Sequence, residues 1–413
     1  MHILVKERCF TQDISQKAVM IMSLIVQKFG GSSVRDVQRL RHVARRISDV
    51  YHQGNQVVVV VSAQGKTTDQ LIGQAMEVTK TPSGREMDVL LSTGEQMSIS
   101  LLAMALNQIG CPALSLTGWQ VGIHTDAVHQ NARILQVDTQ RILQQLEKGN
   151  IVIVAGFQGV DEEGNITTLG RGGSDTTAVA LASALNADHC QIFTDVEGVY
   201  TADPRIVPEA VKLPEITYND MLVMASMGAK VLHDRSVELA KEKQVHLEVL
   251  SSLTEAPGTL VWGVKDGPPS MQGITADRTV LRYHLTSISL EDASHFMTEL
   301  YRRQVHPDLT EQPADNELLF TVSQHHRQTV EETLKERNLW AEADERWAKV
   351  TVVGSQLHSI PHVKQEVLSE LEKAGIPFGS SWLGERRYSV LLPRDAADEG
   401  VRALHRVLLR HRE

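Results

Sequence analysis

Apolar residues form two alternating patterns between residues 24 and 262. Uninterrupted apolar runs at 57–61 and 151–155 are rich in Val and Ile, as expected of strands buried on both faces of a parallel sheet. Between such runs, apolar residues recur at helical spacing, as they do over 37–47. The alternation predicts an α/β sandwich built on a parallel sheet.

Beyond residue 262 the order of elements changes. Strand-like, helix-like, strand-like, strand-like and helix-like segments follow one another twice, over 280–338 and over 349–410. This order predicts two ferredoxin-like units; the alternative is one α+β domain. A turn-rich run at 256–269 is the expected exit from the first domain. The predicted divisions of the chain are 1–22, 23–262 and 263–413.

Length and charge exclude several classes of protein. The chain of 413 residues is long enough for two or three domains. Its formal net charge of −10 provides no basic surface for nucleic acid or anionic lipid. No apolar run approaches the roughly 20 residues of a membrane span, and the first residues do not resemble a signal peptide. We therefore expect a cytoplasmic protein without nucleic-acid or membrane partners.

Cysteine and histidine positions do not predict a metal site. Cys9, Cys111 and Cys190 are odd in number and far apart, which disfavours a disulfide framework and a cysteine-rich zinc site. His358 and His362 are four apart, but a proline separates them and no Glu follows the first histidine. We expect buried or unreactive thiols and no protein-bound metal ion.

A glycine-rich stretch at 169–177 joins a β-rich segment to a predicted helix at 178–187. Glycines let the backbone approach a ligand closely, and the first turn of a helix presents unpaired N–H groups to negative charge. Ser174 and Asp175 are candidate N-cap residues, and the fork of Arg171 suits a carboxylate or a phosphate. The stretch indicates an anion site; the alternative is an ordinary strand-to-helix turn with an incidental cap.

A second strand, glycine turn and helix lie at 24–47, where Lys28 is followed by Gly30 and Gly31. This order favours a phosphate cradle. It is not a Walker A loop, because the lysine precedes the glycines. Residues 65–68 copy the end of the Walker A motif without its first glycine, so we expect a loop there.

Six segments in order resemble the aspartate kinase branch of the amino acid kinase family, in a form with tandem C-terminal ACT domains. These segments are 28–34, 61–69, 91–95, 170–175, 193–205 and 228–233. The resemblance implies a three-layer α/β/α kinase domain, 23–262, and a regulatory α+β region, 263–413, of two ferredoxin-like ACT domains, the first nested within the second.

The resemblance also implies the reaction. ATP, with Mg²⁺, would phosphorylate the side-chain carboxylate of L-aspartate to 4-phospho-L-aspartate, the first step towards lysine, threonine, methionine and diaminopimelate. One alternative is a related kinase whose acceptor is acetylglutamate, glutamate, carbamate or a nucleoside monophosphate. The other is a sensor that binds an amino acid without catalysis.

The catalytic and nucleotide-binding residues follow from the same resemblance. Lys28 would stabilise the transferring phosphoryl group, and Asp195 would orient Lys28 and the Mg²⁺-nucleotide. Neither acts as a base, because the attacking carboxylate carries no proton to remove. Lys230 would contact the nucleotide phosphates. The expected ATP-binding residues are Lys28, Phe29, Gly30, Gly31, Thr194, Asp195, Tyr200, Arg205, Lys230 and Val231.

For the acceptor, the resemblance implies that Arg171 grips a carboxylate of aspartate and that Glu95 binds its α-ammonium group. A mixture of opposite charges suits an amino acid with two carboxylates. The expected substrate-binding residues are Ser62, Thr68, Glu95, Arg171, Gly172, Gly173 and Ser174.

The sequence departs from the family pattern at several points. Ser32 replaces a frequent Thr and keeps a hydroxyl group. Asp234 follows His233 where the family usually has Pro, so we expect a looser turn after Lys230.

Matches to the family's regulatory segments are loose at 304–312 and 354–363. Asp308 is the candidate effector contact, with lysine or threonine as effector; loss of feedback control is the alternative. The ACT domains are expected to form a homodimer by pairing their sheets edge to edge.

The first 21 residues precede Met22, where the family's first strand would normally begin. We predict an expendable extension or a misassigned translation start. The alternative is an amphipathic helix docked on the kinase domain.

Overall fold

The structure is a computed structural model that describes residues 23–263 and 268–411. The predictions for 1–22, including the alternative helix, and for Cys9 lie outside the described residues. The strands up to residue 263 are β1 (Leu24–Phe29), β2 (Gln56–Val61), β3 (Ala113–Leu116), β4 (Ile123–Thr125), β5 (Ile134–Val137), β6 (Ile151–Ala155), β7 (Gln158–Val160), β8 (Ile166–Thr168), β9 (His189–Thr194), β10 (Glu215–Ile216), β11 (Leu247–Ser251) and β12 (Thr259–Val261).

Eight of these strands form one sheet in the order β10-β12-β11-β9-β1-β2-β6-β3. Neighbouring strands are parallel, apart from the antiparallel pair β11 and β12. The other four strands form a smaller sheet in the order β5-β4-β7-β8. Strand β1 therefore lies in the middle of the main sheet, between β2 and β9.

Helices cover both faces of the main sheet. They are α1 (Val37–His52), α2 (Thr67–Val78), α3 (Gly84–Gln108), α4 (Gly118–Val121), α5 (Gln140–Glu147), α6 (Gly173–Ala184), α7 (Tyr218–Ser226) and α8 (Asp234–Lys243). Val57, Val59 and Val61 share a core with α1 and α3, whereas Val58 and Val60 share a core with α6 and α8. The unbroken valine run thus reflects burial on both faces, and the predicted α/β/α sandwich is confirmed.

The C-terminal part contains two four-stranded sheets. Its elements are β13 (Ser270–Asp277), β14 (Val280–Thr286), α9 (Leu290–Arg302), β15 (Asp308–Glu311), β16 (Glu317–Ser323), α10 (Arg327–Glu336), β17 (Ala341–Asp344), β18 (Trp347–Ser355), α11 (Val363–Lys373), β19 (Ser381–Leu383), β20 (Arg387–Pro393) and α12 (Ala397–Arg410).

The first C-terminal module is the sheet β15-β16-β14-β17 with α9 and α10, and the second is the sheet β13-β18-β20-β19 with α11 and α12. Strand β13 comes first along the chain yet pairs with β18 of the second module. The first module is therefore nested within the second, as predicted, and the alternative of one α+β domain is wrong.

The expected exit at 256–269 begins too early. Strand β12 lies within that run and pairs with β10 and β11, so the main sheet continues to Val261. The turn residues around it did not reveal this three-residue strand, which pairs with the preceding strand β11 and with the more distant β10. The division at 262/263 stays a prediction.

Helix α3 corrects the expectation about apolar runs. Its 25 residues are long and apolar enough to cross a membrane by length and composition. Half of its most apolar window is buried inside the structure, and its buried residues include Asp88 and Glu95. Burial against the sheet accounts for the apolar composition.

Candidate active site

The candidate site lies at the carboxyl edge of the main sheet, where the loops after β1, β2 and β9 meet. The chain passes from β1 through α1 to β2 on one side, whereas β9 flanks β1 on the other. Such a switch in strand order opens a crevice where ligands bind in open α/β sheets. Two backbone hydrogen bonds tie the loops together: Ser62 N–H donates to Phe29 O at 3.1 Å, and Gly65 N–H donates to Gly31 O at 3.0 Å.

Lys28 lies near the carboxyl end of the central strand and is 9% exposed. Its Nζ atom is 2.5 Å from Oδ1 of Asp175, in the first turn of α6. Sequence reasoning missed this ion pair, since it gave Asp195 the role of orienting Lys28. It also took Ser174 and Asp175 for N-cap residues, but the N-cap is Gly172 and both side chains lie inside the helix. The carboxylate of Asp175 instead faces the neighbouring strand.

The turn that precedes α6 touches the segment 228–233. Gly172 has φ of +68°, in the left-handed region that favours glycine, and a Cβ there would collide with His233. Arg171, beside it, is exposed. The contact brings the expected aspartate-binding turn next to the segment that carries Lys230 and Val231.

Glu95 is buried on α3, at 3% exposed. Its Oε1 atom accepts a hydrogen bond from Ala63 N–H at 2.9 Å. Its Oε2 atom is buried and has no hydrogen-bond partner among the described residues. Burial raises the pKa of this carboxyl to about 8. The second oxygen of this carboxyl group is thus buried without a hydrogen-bond partner among the described residues.

The loop expected at 65–68 is shorter than predicted. Helix α2 begins at Thr67, so Thr68 lies in its first turn rather than in a loop. Ser62 precedes the helix and is partly buried. Lys66 is the N-cap and makes no side-chain cap hydrogen bond.

Asp88 is a buried residue that sequence reasoning did not identify. Its carboxylate accepts hydrogen bonds from Thr168 Oγ1 at 2.5 Å and from Gln130 N–H at 3.1 Å, and lies 2.7 Å from Nδ1 of His129. It thereby joins α3 to the loop before β5 and to the end of β8. Asp88 precedes Glu95 by two helical turns on the same buried face, a spacing that could have revealed it.

Arg235, in α8, holds the chain just before the glycine turn that precedes α6. Its Nη1 atom donates to Leu169 O at 2.6 Å and to Asn131 Oδ1 at 2.7 Å, and its Nη2 atom donates to Ala132 O at 2.9 Å. The chain that enters the glycine turn is thus bonded to two helices, to α8 through Arg235 and to α3 through the hydrogen bond between Asp88 and Thr168.

The expected nucleotide residues lie at the end of β9 and beyond it. Asp195 is exposed, and its Oδ1 accepts a hydrogen bond from Thr194 Oγ1 at 3.2 Å. Arg205 is held by Asp203, with Nη2–Oδ2 at 2.7 Å, and this hydrogen bond raises the pKa of the Arg205 guanidinium. Burial raises the pKa of the Tyr200 phenol.

Asp234 occupies the first position of α8. Its carboxylate accepts from Arg235 N–H and lies 2.7 Å from Nδ1 of His233, and this side-chain hydrogen bond lowers the pKa of Asp234. The first helical position suits Asp, because a negative charge there interacts favourably with the helix dipole. Whether the turn after Lys230 is looser than with Pro stays a prediction.

Within 23–263 and 268–411, no three His, Cys, Asp or Glu side chains cluster as a metal site. Asp175 and Asp195 are carboxylates at this edge of the sheet, which fits Mg²⁺ held mainly by nucleotide phosphates with one or two protein carboxylates. Cys111 and Cys190 are buried free thiols, and burial raises the pKa of Cys190.

Asp308, the candidate effector contact, makes internal ion pairs in this structure. Its carboxylate lies 2.6 Å from Lys349 Nζ and 2.8 Å from Arg387 Nη2. Although its partial burial opposes ionisation, these two cations lower the pKa of Asp308 to about 2. The side chain therefore links strands of both C-terminal modules.

Comparisons with known proteins agree with this architecture. The profile of the amino acid kinase family matches residues 23–251. An aspartokinase of Geobacillus stearothermophilus is 47% identical over 393 residues, covering 93% of this chain and 97% of the relative. Aspartokinase 2 of Bacillus subtilis is 45% identical over 397 residues, with the same coverage.

Among solved structures, E. coli aspartokinase III in complex with aspartate and ADP, described as the R-state, has a TM-score of 0.81 at 27% identity. The comparison covers 94% of this chain and all of that one. The same enzyme with lysine and aspartate, described as the T-state, has a TM-score of 0.73 at 27% identity, over 93% and 99%. The chain therefore belongs to the amino acid kinase family, within its aspartokinase branch.

Proposed function

We propose that this aspartokinase transfers the γ-phosphoryl group of Mg²⁺-ATP to the side-chain carboxylate of L-aspartate. The observation that carries the proposal is the position of Lys28. Its ammonium group pairs with Asp175 in the first turn of α6, the helix that follows Arg171, and its strand lies next to β9. Relatives of 45–47% identity over 93% of this chain are aspartokinases, which supports the same assignment.

The reaction joins two anions, so its chief requirement is positioning and the cancellation of charge. Lys28 supplies a positive charge to the transferring phosphoryl group, and Asp175 fixes the direction of its side chain. Asp195 contributes a negative charge within segment 194–205, the proposed nucleotide segment. No general base is needed, because the aspartate side chain is already ionised.

The acceptor site combines a cation with a carboxylate. Arg171 would bind a carboxylate of aspartate through its planar fork. Glu95 would accept the α-ammonium group on its unpartnered Oε2 atom. Asp88 bonds to Gln130 and Thr168, and Arg235 bonds to Leu169, so both hold segments that adjoin the glycine turn.

The nucleotide would lie against Lys28, Gly30, Gly31, the segment 194–205, Lys230 and Val231. Mg²⁺, bound with the ATP phosphates, would add positive charge next to Asp195 and Asp175. A related enzyme, E. coli aspartokinase III, binds ADP and aspartate together, which supports adjacent pockets for the two substrates.

Regulation and assembly form the second part of the proposal. E. coli aspartokinase III binds lysine in the T-state structure, and we propose lysine or threonine as the effector of the C-terminal modules here. We also propose a homodimer through those modules, in the cytoplasm. Titration of both amino acids into the assay, with sedimentation to measure mass, tests these statements; a flat response up to about millimolar concentrations would contradict regulation.

The deciding experiment measures ADP formation with L-aspartate, with other acceptors and without an acceptor. Formation that depends on L-aspartate supports the proposal. Formation with acetylglutamate, glutamate, carbamate or a nucleoside monophosphate alone would indicate a related kinase. Amino-acid binding without ADP formation would indicate a sensor.

A further inference from the structure

The second C-terminal module packs directly on the segment 194–205. Thr201, which follows Tyr200 in this segment, is completely buried. Its carbonyl oxygen accepts a hydrogen bond from Ile274 N–H of β13 at 2.7 Å. Its Oγ1 atom lies 2.9 Å from Nε2 of His405 in α12, and His405 is 2% exposed. Two elements of the module thus bind one residue of the nucleotide segment.

Thr201 is also fastened within the kinase domain. Its N–H donates to Val211 O at 2.9 Å, and Val211 N–H donates to Thr201 Oγ1 at 2.9 Å. The hydroxyl group of Thr201 therefore accepts a hydrogen bond from Val211 N–H within the kinase domain and also contacts His405 of α12. Ala202 and Val207 continue the contact, because both belong to the hydrophobic core of the second module.

A second connection reaches the segment that carries Lys230. Arg386, before β20, donates from Nη1 to Asp220 Oδ1 in α7 at 3.1 Å. Arg387 Nη1 lies 3.1 Å from Sδ of Met227, next to the end of that helix. The second module therefore contacts segment 194–205 directly and also contacts the helix that ends just before segment 228–233.

The contacts that fix the proposed aspartate-binding side of the site come from the kinase domain rather than from the second C-terminal module. Glu95 is bonded to Ala63, and the glycine turn is held by Arg235. Asp88 is bonded to Thr168 and Gln130. All of these groups belong to the kinase domain. The acceptor side of the site is thus fixed within the kinase domain, whereas segment 194–205 on the nucleotide side is also fixed by the second C-terminal module.

We propose that Thr201 and His405 are positioning residues for the nucleotide, through which the second C-terminal module holds segment 194–205 in its binding conformation. The inference rests on the proposed function, since it takes this segment as part of the ATP site. If the contact is lost, a smaller fraction of the enzyme has the segment in place. Apparent nucleotide affinity falls in proportion to that fraction, whereas aspartate affinity does not.

The test is Thr201→Val, which keeps the shape of the side chain and removes its hydroxyl group. Val211 N–H and His405 then lose a buried partner. We expect KM for Mg²⁺-ATP to rise about tenfold, as for the loss of a buried hydrogen bond, and KM for aspartate to stay within about twofold. Thr201→Ser keeps the hydroxyl group, so its KM for Mg²⁺-ATP should be close to that of the unmodified enzyme.

A matched control is Thr333→Val in α10. Thr333 is also completely buried, and its hydroxyl donates to Thr329 O at 2.7 Å within the first module. This variant removes a buried threonine hydroxyl group from the first module, whereas the contacts with segment 194–205 come from the second module. Both KM values should therefore stay close to those of the unmodified enzyme.

The inference is overturned if folded Thr201→Val keeps its KM for Mg²⁺-ATP, or if both KM values rise equally. If Thr201→Val does not fold, His405→Gln, whose amide can still bond to Thr201, and His405→Leu, which cannot, replace it. The Leu variant alone should lose Mg²⁺-ADP affinity, measured by calorimetry; equal affinities would overturn the inference. An unmodified enzyme that makes no ADP with aspartate would contradict the proposed function instead, and the calorimetric comparison would still decide the positioning role.

Discussion

Aspartate binding should depend on pH through Glu95. The side chain is 3% exposed, and burial raises its pKa to about 8, so the free enzyme holds this carboxyl mainly protonated at neutral pH. The α-ammonium group of aspartate needs the ionised form. Binding should therefore release a proton from Glu95, and apparent affinity should rise as the pH increases towards 8.

The size of the effect follows from the fraction of enzyme with ionised Glu95. With a pKa of about 8, that fraction is roughly one tenth at pH 7 and roughly one hundredth at pH 6. Apparent affinity scales with the competent fraction. KM for aspartate should thus be roughly tenfold higher at pH 7 than its limit above pH 8, and roughly a further tenfold higher at pH 6.

Initial rates over pH 6 to 9 would measure this dependence, with KM for Mg²⁺-ATP as the internal comparison. Glu95→Gln removes the titrating group, so KM for aspartate should be high and nearly independent of pH between 6 and 8. Proton release on aspartate binding can be measured by calorimetry in buffers of different ionisation enthalpy. The reasoning is refuted if KM for aspartate stays constant over this range, or if the Gln variant keeps the slope.

Four further outcomes are expected. Lys28→Ala should lower kcat by about 100-fold or more, and it should also lower the melting temperature, since it leaves Asp175 partly buried without its cation. Asp175→Asn keeps the lysine charge and should therefore retain more activity than Lys28→Ala. Equal kcat values for the two variants would contradict this expectation. Arg171→Ala should chiefly raise KM for aspartate, and a rise confined to ATP would mean that the two pockets are exchanged. Asp88→Ala leaves buried donors without an acceptor, at about 1–3 kcal/mol each, so unfolding in urea should begin at lower concentration and KM for aspartate should rise, whereas an unchanged midpoint would count against the role of Asp88. Because the folded pKa of Glu95 lies above the unfolded value of about 4.3, the free energy of unfolding should fall as pH rises from about 4 to 8. Over the same pH range, the melting temperature of Glu95→Gln should fall less than that of the unmodified enzyme.

Local sequence predicted the elements well where burial is uniform. The apolar run at 151–155 coincides with β6, and the valine run at 57–61 lies in β2, which begins one residue earlier, at Gln56. The two C-terminal units were also evident from the order of their elements. The glycine stretch correctly predicted the start of a helix, but α6 begins at Gly173, and Ser174 and Asp175 lie two and three residues beyond its N-cap, Gly172.

By itself, the sequence determined the alternation of strands and helices, the two C-terminal units and the family, because each depends on patterns that are local or repeat in order. The nesting of one unit in the other was implied by the resemblance, and it depends on the pairing of β13 with the distant β18. Only the tertiary structure decided which charges meet. Lys28 pairs with Asp175, Asp308 pairs with Lys349 and Arg387, and Thr201 meets His405. These partners are distant along the chain, so packing of the sheets and helices brings them together, and no local pattern of residues encodes that proximity.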